Sequence, residues 1–297
     1  MVTTTARAAL RARLRSTGLT VAPGVYDGLT ANLARRAGVD AAYLTGAGVA
    51  AAGFGLPDIG LITQTEMAER ARVVTSALGD VPLIADADTG YGAPINVIRT
   101  IRQFEAAGIA AIQLEDQAFP KRCGHLPDKE LISADEFCRT LSAALDARED
   151  ENLLIVARTD ARGPLGLDEA VRRANKYAAE GADVMFVESP HTSREIERIA
   201  AEVRRPLLLN LVIGGLTPQL STERLTDLGF SIAIHPSALL LNSTLGALRA
   251  LSELTGTHLE PPRNPEQFFD LVGRDEWFAL GEKHRAVDTA TAVETSS

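Results

Sequence analysis

Hydrophobic and polar positions follow a repeating order along most of the chain. In four segments, a stretch with helical spacing ends at a glycine and a short apolar run follows. The segments are RRAGVDAAYLTG, EAAGIAAIQLED, AAEGADVMFVES and TDLGFSIAIHPS, with glycines at Gly38, Gly108, Gly181 and Gly229. Glycine commonly ends a helix before a strand, and continuous apolar runs are typical of parallel strands buried on both faces. The pattern predicts a β/α repeat.

Three more apolar runs, VPLIADAD, NLLIVARTD and RPLLLNL, lie between these segments, so about eight strands are predicted between residues 19 and 234. Eight parallel strands alternating with helices favour a TIM-type (β/α)8 barrel, whose active site lies at the carboxyl ends of the strands. We assign residues 1–256 to the barrel with its N-terminal helix. Residues 257–297, which begin near the break PPRNPEQ, form a predicted C-terminal helical extension and tail.

The first residues, MVTTTARAALRARLR, contain four arginines, and no acidic residue precedes Asp27. This composition is typical of an organelle transit peptide. Leu10 and Leu14 lie four residues apart, however, and the segment continues directly into the apolar LTVAPGV. These two features favour a first helix of the barrel.

Composition limits the partners. The chain is 45% hydrophobic and 23% charged, with a net charge of −9 and two cysteines, Cys123 and Cys138. The negative charge disfavours nucleic acid and anionic membranes as partners. No apolar run reaches the roughly 18 residues of a membrane span, and two cysteines allow at most one disulfide. We expect a cytoplasmic protein.

Polar residues follow the predicted strands at the points where they end. Any one of them can cap a helix or a turn, but that alternative does not explain why so many converge. In a barrel these ends meet at one mouth. The residues are Tyr43, Thr45, Asp86, Asp88, Glu115, Asp116, Arg158, Asp160, Glu188, Asn210 and His235.

Carboxylates predict the kind of metal. Asp86 and Asp88, together with Glu115 and Asp58, form an oxygen-only set that suits Mg²⁺ or Mn²⁺ rather than zinc. Zinc on Cys123 and His125 is a weaker alternative because a second ligand pair is missing.

An arginine at a strand end, Arg158, is suited to form a bidentate pair with the carboxylate of a small acid. The segment KRCGH places Cys123 beside Lys121 and Arg122, whose charges are expected to lower the thiol pKa. We interpret Cys123 as a reactive thiol that delivers a proton to a carbanion; the alternative is a bystander thiol.

Six motifs occur in order: YLTGAGVAAAGFGLPDIG, DADTGYG, LEDQAFPKRCGH, VARTDAR, FVES and NLVIGGLTP. With them the chain resembles the isocitrate lyase and phosphoenolpyruvate mutase superfamily over nearly the whole barrel. It is most similar to the branches of the methylisocitrate lyases, 2,3-dimethylmalate lyases and carboxyphosphonoenolpyruvate mutases. The resemblance implies a magnesium-dependent lyase that breaks a C–C bond of a small 2-hydroxy di- or tricarboxylate. The products would be a 2-oxo acid, such as pyruvate or glyoxylate, and a second carboxylate.

The resemblance also implies roles for individual residues. Mg²⁺ would be held by Asp86, with Asp88 and Glu115 reached through water. The 2-oxo-acid part would be bound by Thr45, Gly46 and Ala47, with Tyr43 beside them. The other carboxylates would be bound by Gly124, His125, Arg158 and Asn210. The remaining assignments are Glu188 beside the metal, Cys123 as the proton donor, and Lys121 and Arg122 as the residues that keep the thiol acidic.

The chain departs from the superfamily pattern where a second acidic–basic pair is expected. Ile213 stands where a Glu belongs, Leu241 where the methylisocitrate lyases have an Arg, and His235 replaces a Tyr, while Ala47 replaces Gly or Ser. We therefore expect a smaller or less charged 2-hydroxy dicarboxylate as the substrate, with Arg274 partly replacing the missing cation.

Alternative activities on the same scaffold are those of a carboxyphosphonoenolpyruvate or phosphoenolpyruvate mutase, a phosphonopyruvate hydrolase and an oxaloacetate decarboxylase. Cys123 favours the C–C lyase, because the resemblance implies that the other enzymes generally lack it. A barrel that only binds a ligand does not need such an acid.

The resemblance further predicts a homotetramer whose C-terminal extensions exchange between subunits. Residues 119–131 are expected to close over the ligand, with Gly124 as a hinge between Pro120 and Pro127.

Overall fold

A computed structural model describes residues 2–126, 128–204 and 206–294; Pro127, part of the predicted hinge, lies outside them. Eight parallel strands close into a barrel in chain order, and the last strand pairs with the first. The predicted TIM-type barrel is confirmed. The strands are β1 Thr20–Val25, β2 Ala42–Leu44, β3 Leu83–Asp86, β4 Ala111–Glu115, β5 Leu154–Thr159, β6 Val184–Val187, β7 Leu207–Asn210 and β8 Phe230–His235.

Helices connect the strands and cover the barrel. The four predicted glycine stops are confirmed, because each of these glycines has the positive φ that favours glycine after a helix. The helices are α1 Val2–Arg13, α2 Gly28–Arg36, α3 Gly46–Gly48, α4 Gln64–Leu78, α5 Pro94–Ala106, α6 Ala134–Ala147, α7 Arg162–Leu165, α8 Leu167–Glu180, α9 Ser193–Glu202, α10 Thr222–Asp227, α11 Ala238–Thr255, α12 Pro265–Asp270 and α13 Arg274–Glu294, with a π-helix at Val49–Phe54.

The first helix, α1, closes the end of the barrel opposite to the strand carboxyl ends. Leu10 is completely buried and packs into the barrel interior with residues such as Ile84. Arg7 donates a hydrogen bond to the Ile109 carbonyl (2.9 Å) and pairs with Asp150 (3.2 Å). The prediction of a first helix is confirmed.

The C-terminal extension lies on the mouth of its own barrel. Phe268 and Phe269 of α12 are buried, with ring centroids 5.4 Å apart, and both line the cavity at the mouth. The guanidinium of Arg122 lies 5.0 Å from the ring centroid of Phe278 in α13. The division into two domains, the exchange of extensions between subunits and the homotetramer stay predictions. Within the described residues, no helix combines the length and apolarity that a membrane crossing requires.

Candidate active site

A cavity of about 750 Å³, including the part open to solvent, lies at the carboxyl ends of the strands. Parallel strands bring their end residues to one mouth, so residues far apart in sequence meet here. The predicted residues that line it are Tyr43, Thr45, Ala47, Asp58, Asp86, Cys123, Gly124, His125, Arg158, Glu188 and Asn210. The other predicted residues do not line it. Gly46 and Asp88 line a smaller neighbouring cavity, which they share with Asp58. Glu115 and Lys121 are buried, and His235 is not among the lining residues.

Asp86 ends β3 and is oriented from two sides. Its Oδ1 accepts hydrogen bonds from the backbone N of Asp88 (3.2 Å) and from Nε2 of Gln113 (3.1 Å). Gln113 in turn accepts a hydrogen bond from the hydroxyl of Tyr43 (3.0 Å). Gln113 was not predicted as a site residue; its signal is a polar residue inside the otherwise apolar run AIQL. Asp88 adopts a left-handed φ of 47°, an unusual conformation that is common at functional sites.

Lys121 lies among these carboxylates. Its ammonium forms an ion pair with Asp58 and another with Asp88 at 2.8 Å. Burial lowers the pKa of Lys121, but the charges of Asp58 and Asp88 outweigh burial and raise the pKa well above its usual value. Lys121 thus pairs with the acidic cluster formed by Asp58, Asp86, Asp88 and Glu115, in addition to lowering the pKa of the Cys123 thiol as predicted.

The acidic cluster has more negative charge than its local cation compensates. Oε1 of Glu115 is buried without any partner among the described residues, whereas Oε2 of Glu115 and Oδ1 of Asp88 have ion-pair contacts with Arg158 (3.1 Å) and Lys121 (2.8 Å). Burial raises the pKa of Asp86, raises that of Asp88 to about 7, and raises that of Glu115 well above its usual range. Buried carboxylate oxygens with an excess of negative charge fit a hard cation such as Mg²⁺ or Mn²⁺.

No three His, Cys, Asp or Glu side chains in the described part of the chain are grouped closely enough to hold a metal by themselves. The carboxylates would therefore need water or substrate oxygens to complete a coordination shell. The same finding leaves the zinc alternative at Cys123 and His125 without a third ligand.

Arg158 is held rigidly on β5. Its Nε and Nη2 donate to the two oxygens of Asp160 at 2.8 and 3.0 Å. Its Nη1 lies 3.1 Å from Glu115 and its Nη2 lies 3.6 Å from Glu188. The guanidinium carbon is 5.3 Å from the ring centroid of Phe186 in the barrel interior. Three carboxylates of the chain thus fix the orientation of the Arg158 guanidinium at the edge of the cavity.

Lys129 connects the KRCGH loop to Arg158. Its ammonium donates to the carbonyl of Gly124 (2.6 Å) and to Asp160 Oδ1 (2.8 Å). Asp160 is the carboxylate that orients Arg158, so one buried lysine ties the loop to the arginine. Sequence reasoning missed Lys129, because the spacing of a loop residue does not show where the loop folds back.

Asp116 holds the end of β5, next to Arg158 and Asp160, in place. It is completely buried and does not line the cavity. Its carboxylate accepts hydrogen bonds of 2.8–2.9 Å from Thr159 Oγ1, Asp160 N, Arg173 Nη1 and Tyr177 OH. Asp116 and Asp160 are thus structural members of the predicted strand-end group.

Gly124 is packed too closely for a side chain. A Cβ at this position would overlap the Arg158 guanidinium and would lie 2.7 Å from Cγ of Glu188. The Gly124 carbonyl also accepts a hydrogen bond from Ser189 Oγ at 3.0 Å. Glycine therefore lets the loop backbone approach the charged residues at the cavity floor.

Cys123 is half-buried and lines the cavity, and its backbone N donates to the carbonyl of Asp58 (3.1 Å). Burial, followed by the charge of Asp58, raises the pKa of the thiol to about 12. The predicted net lowering of this pKa is wrong. The charge of Lys121 does lower the pKa of the thiol, but burial and Asp58 outweigh it. Arg122 lies against Phe278. The thiol is therefore protonated at neutral pH, the state that a proton donor needs.

His125 and Glu188 form the next part of the cavity wall. Burial lowers the pKa of His125, and its Nδ1 accepts a hydrogen bond from the backbone N of Leu216 (3.0 Å). Burial alone would raise the pKa of Glu188, but Arg158 and His125 outweigh it and lower the pKa. Asn210 donates to Glu188 at 3.0 Å. This wall offers a neutral imidazole, an amide and an ionised carboxylate.

The sequence profile of phosphoenolpyruvate phosphomutase matches residues 10–255. The chain belongs to this family. It is 46% identical to the 2,3-dimethylmalate lyase of Eubacterium barkeri, covering 78% of this chain and 80% of that protein. It is 41% identical to the 2-methylisocitrate lyase of Aeropyrum pernix, covering 90% and 87% of the two chains.

Solved structures of related enzymes agree with this family assignment. A 2,3-dimethylmalate lyase superposes with a TM-score of 0.80 at 37% identity, covering 94% of this chain and 95% of that one. Oxaloacetate acetylhydrolase with 3,3-difluorooxalacetate superposes with a TM-score of 0.81 at 33% identity, covering 95% and 97%. Phosphonopyruvate hydrolase in complex with oxalate and Mg²⁺ gives 0.72 at 30% identity, covering 93% and 97%. The resemblance found in the motifs is thus confirmed.

Within this family frame, the departures at Ile213 and Leu241 make one side of the cavity apolar, because both residues line it. The expectation that Arg274 replaces the missing cation is wrong. Arg274 is not among the lining residues, and its guanidinium pairs with Glu266, Asp270 and Asp275 at 2.8–2.9 Å.

Proposed function

We propose that this protein is a magnesium-dependent lyase that cleaves the C2–C3 bond of a small 2-hydroxy dicarboxylate. The products are a 2-oxo acid and a second carboxylate. The observation that carries the proposal is the position of Cys123, which lines the same cavity as Arg158 and Asp86. Cleavage of this bond leaves a carbanion that must take up a proton, and a thiol next to the carboxylate-binding arginine can supply it.

Asp86 would hold the cation, with Asp88 and Glu115 reached through water. When bound, a divalent cation stabilises the negative charge that develops on the substrate oxygens. Thr45, Gly46 and Ala47 follow β2 at the same mouth and would bind the 2-oxo-acid part, with Tyr43 beside them.

The chemical step follows from the remaining groups. Arg158 binds a substrate carboxylate, and His125 and Asn210 complete that end of the site. Glu188 accepts the proton of the C2 hydroxyl. The C2–C3 bond breaks, its electron pair moves to C3, and the Cys123 thiol donates its proton to C3. Proton exchange with solvent then restores the thiol and the Glu188 carboxylate.

Purified protein with Mg²⁺ and a panel of 2-hydroxy dicarboxylates tests the proposal. Nuclear magnetic resonance of the mixture identifies both products. We expect a 2-oxo acid and a second carboxylate in equal amounts from at least one compound. The panel includes oxaloacetate and phosphonopyruvate as substrates of the alternative reactions. Decarboxylation, C–C hydrolysis or C–P chemistry on these two compounds, with none of the hydroxy acids cleaved, would contradict the proposal.

A further inference from the structure

The cavity has two chemically different sides. The charged lining residues Asp58, Asp86, Arg158 and Glu188 come from the first six β/α units. The other side is formed by residues that follow β7 and β8 and by α12, and it is almost entirely apolar. Its apolar members are Val212, Ile213, Pro236, Leu240, Leu241, Pro265, Phe268 and Phe269. Among the described lining residues, these segments add two polar side chains, Ser237 and Asn264, and both are uncharged.

The positive charge available at the cavity can compensate two substrate carboxylates but not a third. Among the described lining residues, Arg158 is the only lysine or arginine, and three carboxylates already surround its guanidinium. One substrate carboxylate faces this arginine, and the other belongs with the acidic cluster and its cation. A third carboxylate would face Leu241 and the two phenylalanines of α12 without a partner, which is strongly unfavourable.

The apolar side continues directly from the end of the site that receives the leaving fragment. Asn210 is followed along the chain by Val212 and Ile213, and all three line the cavity. Leu240 and Phe269 are themselves buried, so this wall is packed in place. A substituent on C3, the carbon protonated by Cys123, therefore meets hydrocarbon.

We propose that the substrate carries an apolar group of three or more carbons, alkyl or aryl, on C3. This inference rests on the proposed lyase function and names its substrate class. The second product is then a carboxylic acid that carries the same alkyl or aryl group on its carbon next to the carboxylate, so it is larger than propionate. Each additional buried methylene strengthens binding roughly fourfold, so propyl should exceed methyl by roughly fifteenfold.

The test compares malates that carry methyl, propyl, benzyl or carboxymethyl at C3, each with Mg²⁺. The propyl and carboxymethyl groups are similar in size, since carboxymethyl has one more non-hydrogen atom, an oxygen. They differ chiefly in charge. We expect kcat/KM for propyl to exceed that for methyl about fifteenfold and that for carboxymethyl more than about a hundredfold. Leu241→Arg should lower kcat/KM for propyl and raise it for carboxymethyl. Leu251→Ala, a change at an exposed residue of the same helix outside the cavity, should alter neither.

A higher kcat/KM for the methyl or carboxymethyl compound than for propyl would overturn the inference while leaving the lyase proposal intact. Cleavage of none of the compounds would contradict the lyase proposal. In that case calorimetric binding with Mg²⁺ still decides the inference. Tighter binding of propyl than of carboxymethyl supports it, and equal or weaker binding overturns it.

Discussion

Substitution of Lys129 by methionine should separate the KRCGH loop from Arg158. The ammonium makes two buried hydrogen bonds, to the Gly124 carbonyl and to Asp160. Loss of one partner of a buried ion pair costs about 3–5 kcal/mol when the other charge is left alone. Asp160 retains both bonds to Arg158, so we expect a smaller loss, about 2–3 kcal/mol in the free energy of unfolding, measured by urea titration.

Activity should fall together with stability, because Lys129 positions the loop that carries Cys123. Misplacement of a reacting group by about 1 Å can cost about a hundredfold, so kcat should fall about ten- to a hundredfold, with a smaller rise in KM. Lys129→Arg, which keeps the charge, should recover part of kcat. Lys176→Met is the matched control, since it removes a more exposed ion pair, with Asp135. An unchanged kcat in Lys129→Met would refute the positioning role, even if the protein were less stable.

Three further predictions concern the same site. Gly124→Ala should lower kcat by more than about a hundredfold, because its Cβ would displace Arg158 and Glu188; circular dichroism checks that the barrel remains folded, and a nearly normal rate would show that the loop can move aside. Exhaustive EDTA treatment should abolish turnover, and Mg²⁺ or Mn²⁺ should restore it; full activity in EDTA would contradict the metal assignment. Residues 119–131 should exchange amide hydrogens more slowly when oxalate and Mg²⁺ are bound, and equal exchange would count against loop closure.

Much of the fold and part of the site could be predicted because a parallel barrel converts sequence order into spatial order. Asp86, Arg158 and Asn210 each follow an apolar strand, so their meeting at one mouth follows from the β/α repeat alone. The side chains that form hydrogen bonds with these residues were harder to predict from the sequence. Gln113 was detectable as a polar residue within a strand, whereas Lys129 lies in a loop whose path depends on tertiary contacts.

The wrong prediction for Cys123 has a physical cause. The cationic neighbours were visible in the sequence, but the burial of the loop and the approach of Asp58 were not, and these two outweigh the lowering effect of Lys121. Burial then dominates the thiol pKa. In the same way, the apolar wall includes Phe269, which lies beyond the predicted domain boundary and docks on the mouth through contacts that periodicity does not encode.

The central claim is that Cys123 donates the proton that releases the second product, and Cys123→Ser tests it most directly. Serine keeps the size and hydrogen-bonding capacity of cysteine but is a far weaker acid. With a substrate cleaved by the wild type, kcat should fall at least about a hundredfold while KM changes little. Cys138→Ser, which changes the other cysteine, on α6 and outside the cavity, should retain the wild-type kcat. A Cys123→Ser enzyme that kept most of the wild-type lyase rate would contradict the account.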